Sequence, residues 1–358
     1  MPTFNTIVIK IGSSTLTTSE GAFDISNLKR IVSETAELIK QGKKIILVSS
    51  GAIALGAEKL NLGKPKTIPQ KQAAAAVGQS RLMRQYEKAF EEYQLPVAQI
   101  LLTRDAIADR ERYLNARHCV QTLLDEGVIP IVNENDTVSI DEIKIGDNDT
   151  LAALTASLIG ADLLALLTDV DGFYMKNEEG VSYRADEITE ITAEVTDAAG
   201  HPSTQLGTGG MITKIQAAKI CQNAGVTMAI INGRKPGLIK ALASGEKAGT
   251  LFPPLISKME SRKRWLAYGL KTEGIIMIDP GAESALIQHG KSLLPVGIKS
   301  VKGKFSSGAL VSIVDENNKE IARGLVNLNS EELTKVIGQK NVGEVIHRDD
   351  LVILSKET

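Results

Sequence analysis

Six short apolar runs, each ending in a polar or glycine-rich cluster, constrain this chain more than any other feature. They are "TIVIKI" (6–11), "KIILVSSG" (44–51), "PVAQILLT" (96–103), "GVIPIVN" (127–133), "ADLLALLTD" (161–169) and "GVTMAIING" (225–233). A strand with one wet face alternates apolar and polar residues; these runs do not, so both faces need cover. Helical stretches lie between most of them. Leu28, Ile31, Val32, Leu38 and Ile39 mark one face of the first long helix, which stops at Gly42. The fold class predicted is α/β: an open, mostly parallel sheet sandwiched by helices. Ligands of such sheets sit beyond the carboxyl ends of the strands, so the chemistry is to be sought there.

The pattern changes after "TLFPPL" (250–255). A basic stretch with Lys258, Arg262, Lys263 and Arg264 precedes Trp265, and from Glu273 short apolar runs alternate with Gly, Pro, Asn and Asp. "GIIMID", "ALVSIVD" and "EIARGLVN" read as strands, and "DENNKE" as a hairpin turn. The expected organisation is a domain over 1–255, a linker over 256–272 and a small, β-rich domain over 273–358.

Bulk properties remove several function classes. The 358 residues carry a formal net charge of −2, which gives no global case for nucleic acid or acidic membranes. Two cysteines, Cys119 and Cys221, suit a reduced compartment, and the four histidines (118, 201, 289, 347) lack metal-ligand spacing. No apolar run approaches the roughly 18 residues of a membrane span. The N-terminus reads at once as a strand rather than a signal peptide. A cytoplasmic protein is expected.

Polar chemistry gathers at the strand ends. The first run closes on Lys10, Gly12, Ser13 and Ser14. Lys10 either snorkels at the strand end or serves an anion, with the glycine turn letting N–H groups approach it. The second closes on "SSGAIALG", where small residues lead into a helix N-terminus; the G-x-S-x-G elbow of a serine hydrolase is absent. The fourth runs into "VNENDTVSIDEIKIGDNDT" (132–150), with four Asp, two Glu and three Asn against one Lys. Asp147 to Asp149 open the next helix, where capping accounts for about two of these side chains, and Asp141 and Glu142 read as solvent-facing. The fifth closes on Thr168 and Asp169, with Asp171-Gly172 as an ordinary turn. "GTGGMITK" (207–214) places three glycines before a helix that carries Lys214 in its first turns; it is neither a Walker A loop nor G-x-G-x-x-G. Two lysines, a glycine cradle and carboxylates on one rim are equipment for phosphoryl transfer. An acidic and amide pocket beside them suits a substrate bearing an ammonium group.

The stretches "VIKIGSS", "VSSGAIALG", "AVGQSRLM", "LLTRDAIADRERYLNAR", "NENDTVSIDEIKIGDND", "LLTDVDGFY" and "LGTGGMITKIQAA" resemble the glutamate 5-kinase (γ-glutamyl kinase) family, over nearly all of residues 5–270. Residues 273–350, with "SLLPVGIKSVKGKFSSGALVSI" and "IARGLVN", resemble the PUA domain appended to many bacterial members. The resemblance implies the amino-acid kinase fold, ATP-dependent phosphorylation of the glutamate γ-carboxylate on the route to proline, and feedback inhibition by proline. By motif, Lys10 and Lys214 look like the lysines that stabilise the moving phosphoryl group, and Asp149 like the carboxylate that positions both. Ser50, Asp136 and Asn148 resemble the glutamate-binding positions. Lys10, Thr168, Asp169 and the run Thr208, Gly209, Gly210, Met211, Ile212, Thr213 and Lys214 resemble the nucleotide-binding ones. Mg2+ is expected to travel with ATP, held mainly by phosphates, with Asp147 a weak ligand candidate and the metal ligands otherwise unassigned. The family also suggests a homo-oligomer, dimer or tetramer, and coupling to the downstream γ-glutamyl phosphate reductase. Two rivals stand beside this reading. One is a kinase of the same fold acting on acetylglutamate, aspartate or a nucleoside monophosphate. The other is an RNA-binding role for the C-terminal domain, disfavoured by its ten Lys and Arg against twelve Asp and Glu.

Overall fold

The computed structural model describes residues 4–18, 20, 22–103, 110–138, 148–200, 210–257, 272–340 and 342–354. The chain divides into two compact units, Met1–Ile256 and Ser257–Thr358.

In the first unit the elements follow one another as β1 (Thr6–Ile11), α1 (Ser13–Leu16), α2 (Ile25–Lys40), β2 (Lys44–Val48), α3 (Ala52–Leu60), α4 (Ile68–Glu91), β3 (Val97–Leu102), α5 (Arg110–Asp125), β4 (Ile129–Glu134), α6 (Asp149–Ile159) and β5 (Leu163–Thr168). After a small hairpin, β6 (Tyr174–Lys176) and β7 (Ser182–Arg184), come α7 (Ala193–Ala199), α8 (Met211–Ala224), β8 (Thr227–Asn232), α9 (Leu238–Ala243) and β9 (Thr250–Phe252). Seven strands form one sheet in the order β3-β4-β2-β1-β5-β8-β9. All neighbours are parallel except β8 and β9. β1 lies between β2 and β5, so the crevice at its carboxyl end opens between elements that leave it in opposite directions.

The apolar runs fill two cores, one on each face of this sheet. Successive strand residues point to opposite faces, so odd and even positions separate. Ile7, Ile9, Ile11, Ile45, Leu47, Ile129 and Ile131 pack with residues of α2, α3, α4 and α9. Val8, Ile46, Val48, Val132, Leu164, Leu166, Met228 and Ile230 pack with residues of α6 and α8. The strands read as continuous apolar runs because each face meets its own helical layer.

Helix boundaries follow local chemistry. The Asp24 carboxylate accepts from the Asn27 N–H (3.0 Å) to start α2. Thr67 and Gln70 make a reciprocal capping box for α4, with Pro69 in its first turn. Gly51 enters α3 at φ +99°, a left-handed conformation that a side chain would strain. Helices α3 and α4 then touch backbone to backbone: a Cβ on Gly56 would stand 1.7 Å from the Ala74 carbonyl oxygen, and one on Gly78 1.7 Å from that of Ala52. Small residues in "GAIALG" and "AAAAVGQS" therefore set how closely α4 lies against the start of α3.

The second unit holds a five-stranded sheet of order β11-β10-β12-β13-β14, built from β10 (Gly274–Ile278), β11 (Ile298–Lys302), β12 (Leu310–Val314), β13 (Glu320–Leu325) and β14 (Leu351–Ile353). Helices α10 (Pro280–Ile287) and α11 (Ser330–Val336) complete it. Ile276, Ile278, Leu286, Phe305, Ile313, Leu333 and Ile346 share its core. "DENNKE" makes the turn between antiparallel β12 and β13, with Asn318 at φ +62°.

Candidate functional site

Lys10 is the last inward residue of the even-numbered row of β1, on the face covered by α6 and α8. Both helices begin at the level of its ammonium. Asp149 is the first residue of α6, and Lys214 lies in the first turn of α8. Lys10 Nζ is 2.5 Å from Asp149 Oδ1, and Lys214 Nζ is 2.9 Å from Oδ2. The Thr213 hydroxyl stands 3.1 Å from the same Oδ2 and 2.7 Å from the Gly210 carbonyl oxygen, with one proton for the two. Asp149 is fully buried, and Lys10 and Lys214 are 6% and 7% exposed. Burial alone would push the Asp149 carboxyl up, but the charges and hydrogen bonds of Lys10 and Lys214 hold it well below the usual carboxylate range. Two ammonium groups thus converge on one buried carboxylate, an arrangement fit to place cations for an anion. A buried ion cluster is costly, and its retention at a strand end points to use rather than to stability.

The opposite face of the sheet carries a neutral polar cluster. Ser49 and Asn133 continue the odd-numbered rows of β2 and β4 toward α4. Ser49 Oγ and the buried Tyr86 hydroxyl are 2.8 Å apart, and burial pushes the Tyr86 phenol up. Asn133 Nδ2 donates to Gln79 Oε1 (2.8 Å). Asn148, one residue before Asp149, spans to this cluster. Its Nδ2 donates to the Ser49 carbonyl (2.6 Å) and to Asn133 Oδ1 (2.8 Å), with Ser50 Oγ farther off at 3.4 Å. Asp136 stands half-buried in the turn after β4. Glu134, which ends β4, is buried.

The glycine turn after β1 is held from behind. The Gly12 N–H donates to the Leu167 carbonyl (3.2 Å), tying it to β5. Arg234 donates to the carbonyls of Ser14 (2.7 Å) and Thr17 (2.5 Å), and Asn27 to that of Thr15 (2.8 Å). Arg30 and Asn27 both donate to the Gly233 carbonyl, so the loop after β8 and the turn after β1 form one assembly.

The structure thus brings Lys10, Asp149 and Lys214 into one cluster and Ser50 and Asn148 into another. Thr168 ends β5 beside β1, buried, its hydroxyl donating to the exposed Asp169 carboxylate (3.0 Å). Gly210, Met211, Ile212 and Thr213 form the entry to α8. Thr208, Gly209, Asp147, Asp141 and Glu142 lie outside the described residues. Two local expectations need correction. Asn148 occupies the cap position of α6 but makes no capping hydrogen bond, and Asp149 pairs with two lysines. Asp171 is more than a turn residue: it accepts from Asn232 (2.8 Å) and pairs with Lys235 (2.8 Å), joining the ends of β5 and β8. Sequence reasoning missed Gln79 and Tyr86, which support the cluster from α4. The signal for Gln79 was a single amide among the small residues of "AAAAVGQS".

Comparison with known proteins agrees with this architecture. The model of the amino acid kinase family matches residues 5–232, and that of the PUA domain matches residues 274–347. A solved carbamate kinase from Giardia lamblia bound to AMP-PNP shares the fold, with a TM-score of 0.51 and 21% identity over 70% of this chain and 99% of that one. Fold and site therefore define a kinase of the amino acid kinase class. Proteins named glutamate 5-kinase, from Thermoanaerobacter sp. (strain X514) and Caldanaerobacter subterraneus subsp. tengcongensis, are similar throughout. The first is 49% identical, covering 98% of both chains. The chain belongs to the amino acid kinase family and, within it, to the glutamate 5-kinases that carry a C-terminal PUA domain.

Proposed function

We propose that this enzyme transfers the γ-phosphoryl group of ATP to the γ-carboxylate of L-glutamate, giving γ-glutamyl phosphate and ADP. The observation that carries the reading is the buried Lys10–Asp149–Lys214 cluster at the carboxyl edge of a parallel sheet. A γ-carboxylate oxygen attacks Pγ. The bond from Pγ to the β,γ-bridging oxygen breaks, and its electron pair leaves with ADP. Free carboxylates of this type titrate near 4.3, so the nucleophile is already ionised at neutral pH and needs no base. Asp149, held ionised between two ammonium groups, is suited to placing cations and unsuited to taking a proton.

What the reaction does need is relief of repulsion between two anions. Lys10 and Lys214 reach the site from β1 and from α8, and Asp149 fixes both. In the loose transition state of phosphoryl transfer, charge spreads over the moving group's oxygens, where preorganised cations act most strongly. The N-terminus of α8 adds N–H donors for phosphate oxygens, and Thr168 and Asp169 are the other nucleotide-binding positions of this reading. Ser50, Asp136 and Asn148 hold the amino-acid end of glutamate.

The described residues offer Mg2+ no cage of their own. Among them no three His, Cys, Asp or Glu stand together, and Asp149 is taken by two lysines. No step is assigned to the metal, whose ligands in this reading are mainly the ATP phosphates.

Proline shares the ammonium and α-carboxylate of glutamate and lacks the γ-carboxylate, so it competes for the recognition groups without reacting. The enzyme works in the cytoplasm; the free thiols of Cys119 and Cys221 support a reducing compartment. An ATP-dependent hydroxamate assay with glutamate, run with and without proline, tests the whole reading. Absence of glutamate-dependent hydroxamate would defeat it, and turnover only with another acid would favour a rival substrate.

A further inference from the structure

The orientation of the Asn148 amide can be deduced from backbone groups alone. The Ser49 carbonyl oxygen only accepts, and it lies 2.6 Å from Asn148. The atom facing it must therefore be the nitrogen. The Glu134 backbone N–H only donates, and it points at Asn133 from 2.9 Å, so the Asn133 atom there is Oδ1. That oxygen takes the second Asn148 hydrogen at 2.8 Å. Asn133 Nδ2 is left to donate, and Gln79 Oε1 accepts it at 2.8 Å. The polarity of three successive amides is thus set from both ends.

Two consequences follow. Both Asn148 hydrogens are spent inside the protein on short bonds. Its Oδ1 makes no capping bond and receives none among the described residues, and Asn148 itself is only half-buried. At the other end, Gln79 Nε2 is buried with no acceptor. Gln79 therefore serves the structure through its oxygen, and forgoes a donor bond to do so.

We infer that Gln79 and Asn133 are positioning residues that lock Asn148 with its carbonyl oxygen toward the ligand, so that Asn148 accepts from the substrate ammonium and does not donate to a carboxylate. This rests on the proposed glutamate site. It assigns that corner of the pocket to ligands carrying an N–H-bearing cation, which glutamate and proline share. Loss of the Gln79 oxygen strands Asn133 Nδ2 and loosens the amide that Asn148 leans on.

Two variants separate this role from mere packing. Gln79→Met has similar length and removes both amide ends. Gln79→Glu keeps an oxygen to accept from Asn133 and puts a carboxyl oxygen where the unpartnered nitrogen was, a buried position that favours the neutral, protonated acid. Steady-state kinetics are measured with glutamate and with glutarate, which keeps both carboxylates and lacks the ammonium; glutarate is followed as substrate or as competitor of glutamate. Gln79→Met is expected to lower kcat/KM for glutamate by about 10-fold, mostly through KM, and to change glutarate by less than about 2-fold. Gln79→Glu stays within about 3-fold of the parent protein for both. Equal losses with the two ligands, or a Gln79→Glu protein as impaired as Gln79→Met, overturn the inference. If Gln79→Met fails to fold, by thermal melting and KM for ATP, Gln79→Glu decides alone: a rise in KM for glutamate above about 10-fold sinks it. A parent protein inactive with glutamate and ATP strikes the proposed function instead, and is seen before any variant is compared.

Discussion

Asn148 and Asp149 are adjacent in sequence, yet they belong to opposite faces of one sheet. On the α6 and α8 face the polar end of the crevice is ionic: two ammonium groups on one buried carboxylate. On the α4 face it is mostly uncharged, made of amides and hydroxyls whose donors are largely satisfied within the protein, with the Asp136 carboxylate in the turn after β4. In the proposed reading the labour is divided accordingly: charge stands where charge develops during transfer, and fixed dipoles stand where a small ligand is told from its analogues. Pairs of opposite charge attract strongly in such a site, but desolvation offsets much of that, so recognition gains more from oriented amides than from further charges.

The comparison breaks most visibly if the ionic face fails to govern turnover. Lys10→Ala and Lys214→Ala are each expected to lower kcat by about 10²–10³-fold with little change in ground-state binding. Asp149→Asn is expected to follow them by misplacing both lysines. Because the three act as a unit, the Lys10→Ala/Lys214→Ala double variant should lose far less than the product of the single losses. Rapid-quench or steady-state rates, after folding is confirmed, supply the check.

The amide face, with Asp136 beyond β4, sets the next largest effect. Asn148→Ala is expected to raise KM for glutamate by about 10- to 100-fold while kcat changes little, the range for a hydrogen bond to a charged group. Asp136→Ala should weaken glutamate and proline together, and loss of only one would argue for separate sites. Calorimetric titration with each ligand distinguishes the outcomes.

Helix α4 sharpens the comparison through packing, since it carries Gln79 and Tyr86 but none of the ionic cluster. Gly78→Ala places a Cβ against the Ala52 carbonyl and is expected to cost about 1–3 kcal/mol of stability. Denaturant midpoints measure that cost. Affinity for glutamate should suffer in this variant before affinity for ATP does.

Acidity probes the ionic face alone. The Asp149 carboxyl is lowered from an ordinary value of 3.8, so its contribution to stability is present above that value and lost as pH falls toward its folded one. The stability difference between the parent protein and Asp149→Asn should hold at neutral pH and shrink below about pH 4. A difference independent of pH would place the carboxylate outside the ion cluster.

The smallest effect is expected from the second unit. A chain ending at Ile256 retains both clusters and both cores of the first unit. It should turn over glutamate within about 3-fold of the full chain, since domains with their own cores fold separately. A folded but inactive truncation would show that the second unit is needed for chemistry.

Much of this was legible in the sequence. The sheet was, because "TIVIKI" and "ADLLALLTD" are too continuously apolar for any strand with a wet face. Lys10 was in part, because a lysine closing such a run either snorkels to water or takes a partner. That partner was only half legible. Asp149 was identified through motif resemblance, while helix-start chemistry alone suggested a cap. The amide relay was not legible. Whether Gln79 meets Asn133 depends on how closely α3 admits α4, a tertiary distance set by Gly56 and Gly78, and no local pattern encodes it. The bonds of Asp171 to Asn232 and Lys235 escaped for the same reason: they join loops 61 and 64 residues apart in sequence.

The most direct test of this division is kcat and KM for glutamate, at saturating ATP, for Lys214→Ala and Asn148→Ala side by side. The account predicts that Lys214→Ala loses kcat with KM nearly unchanged, and that Asn148→Ala loses affinity with kcat nearly unchanged. If both variants lose the same parameter, the two faces do not divide catalysis from recognition, and the account is wrong.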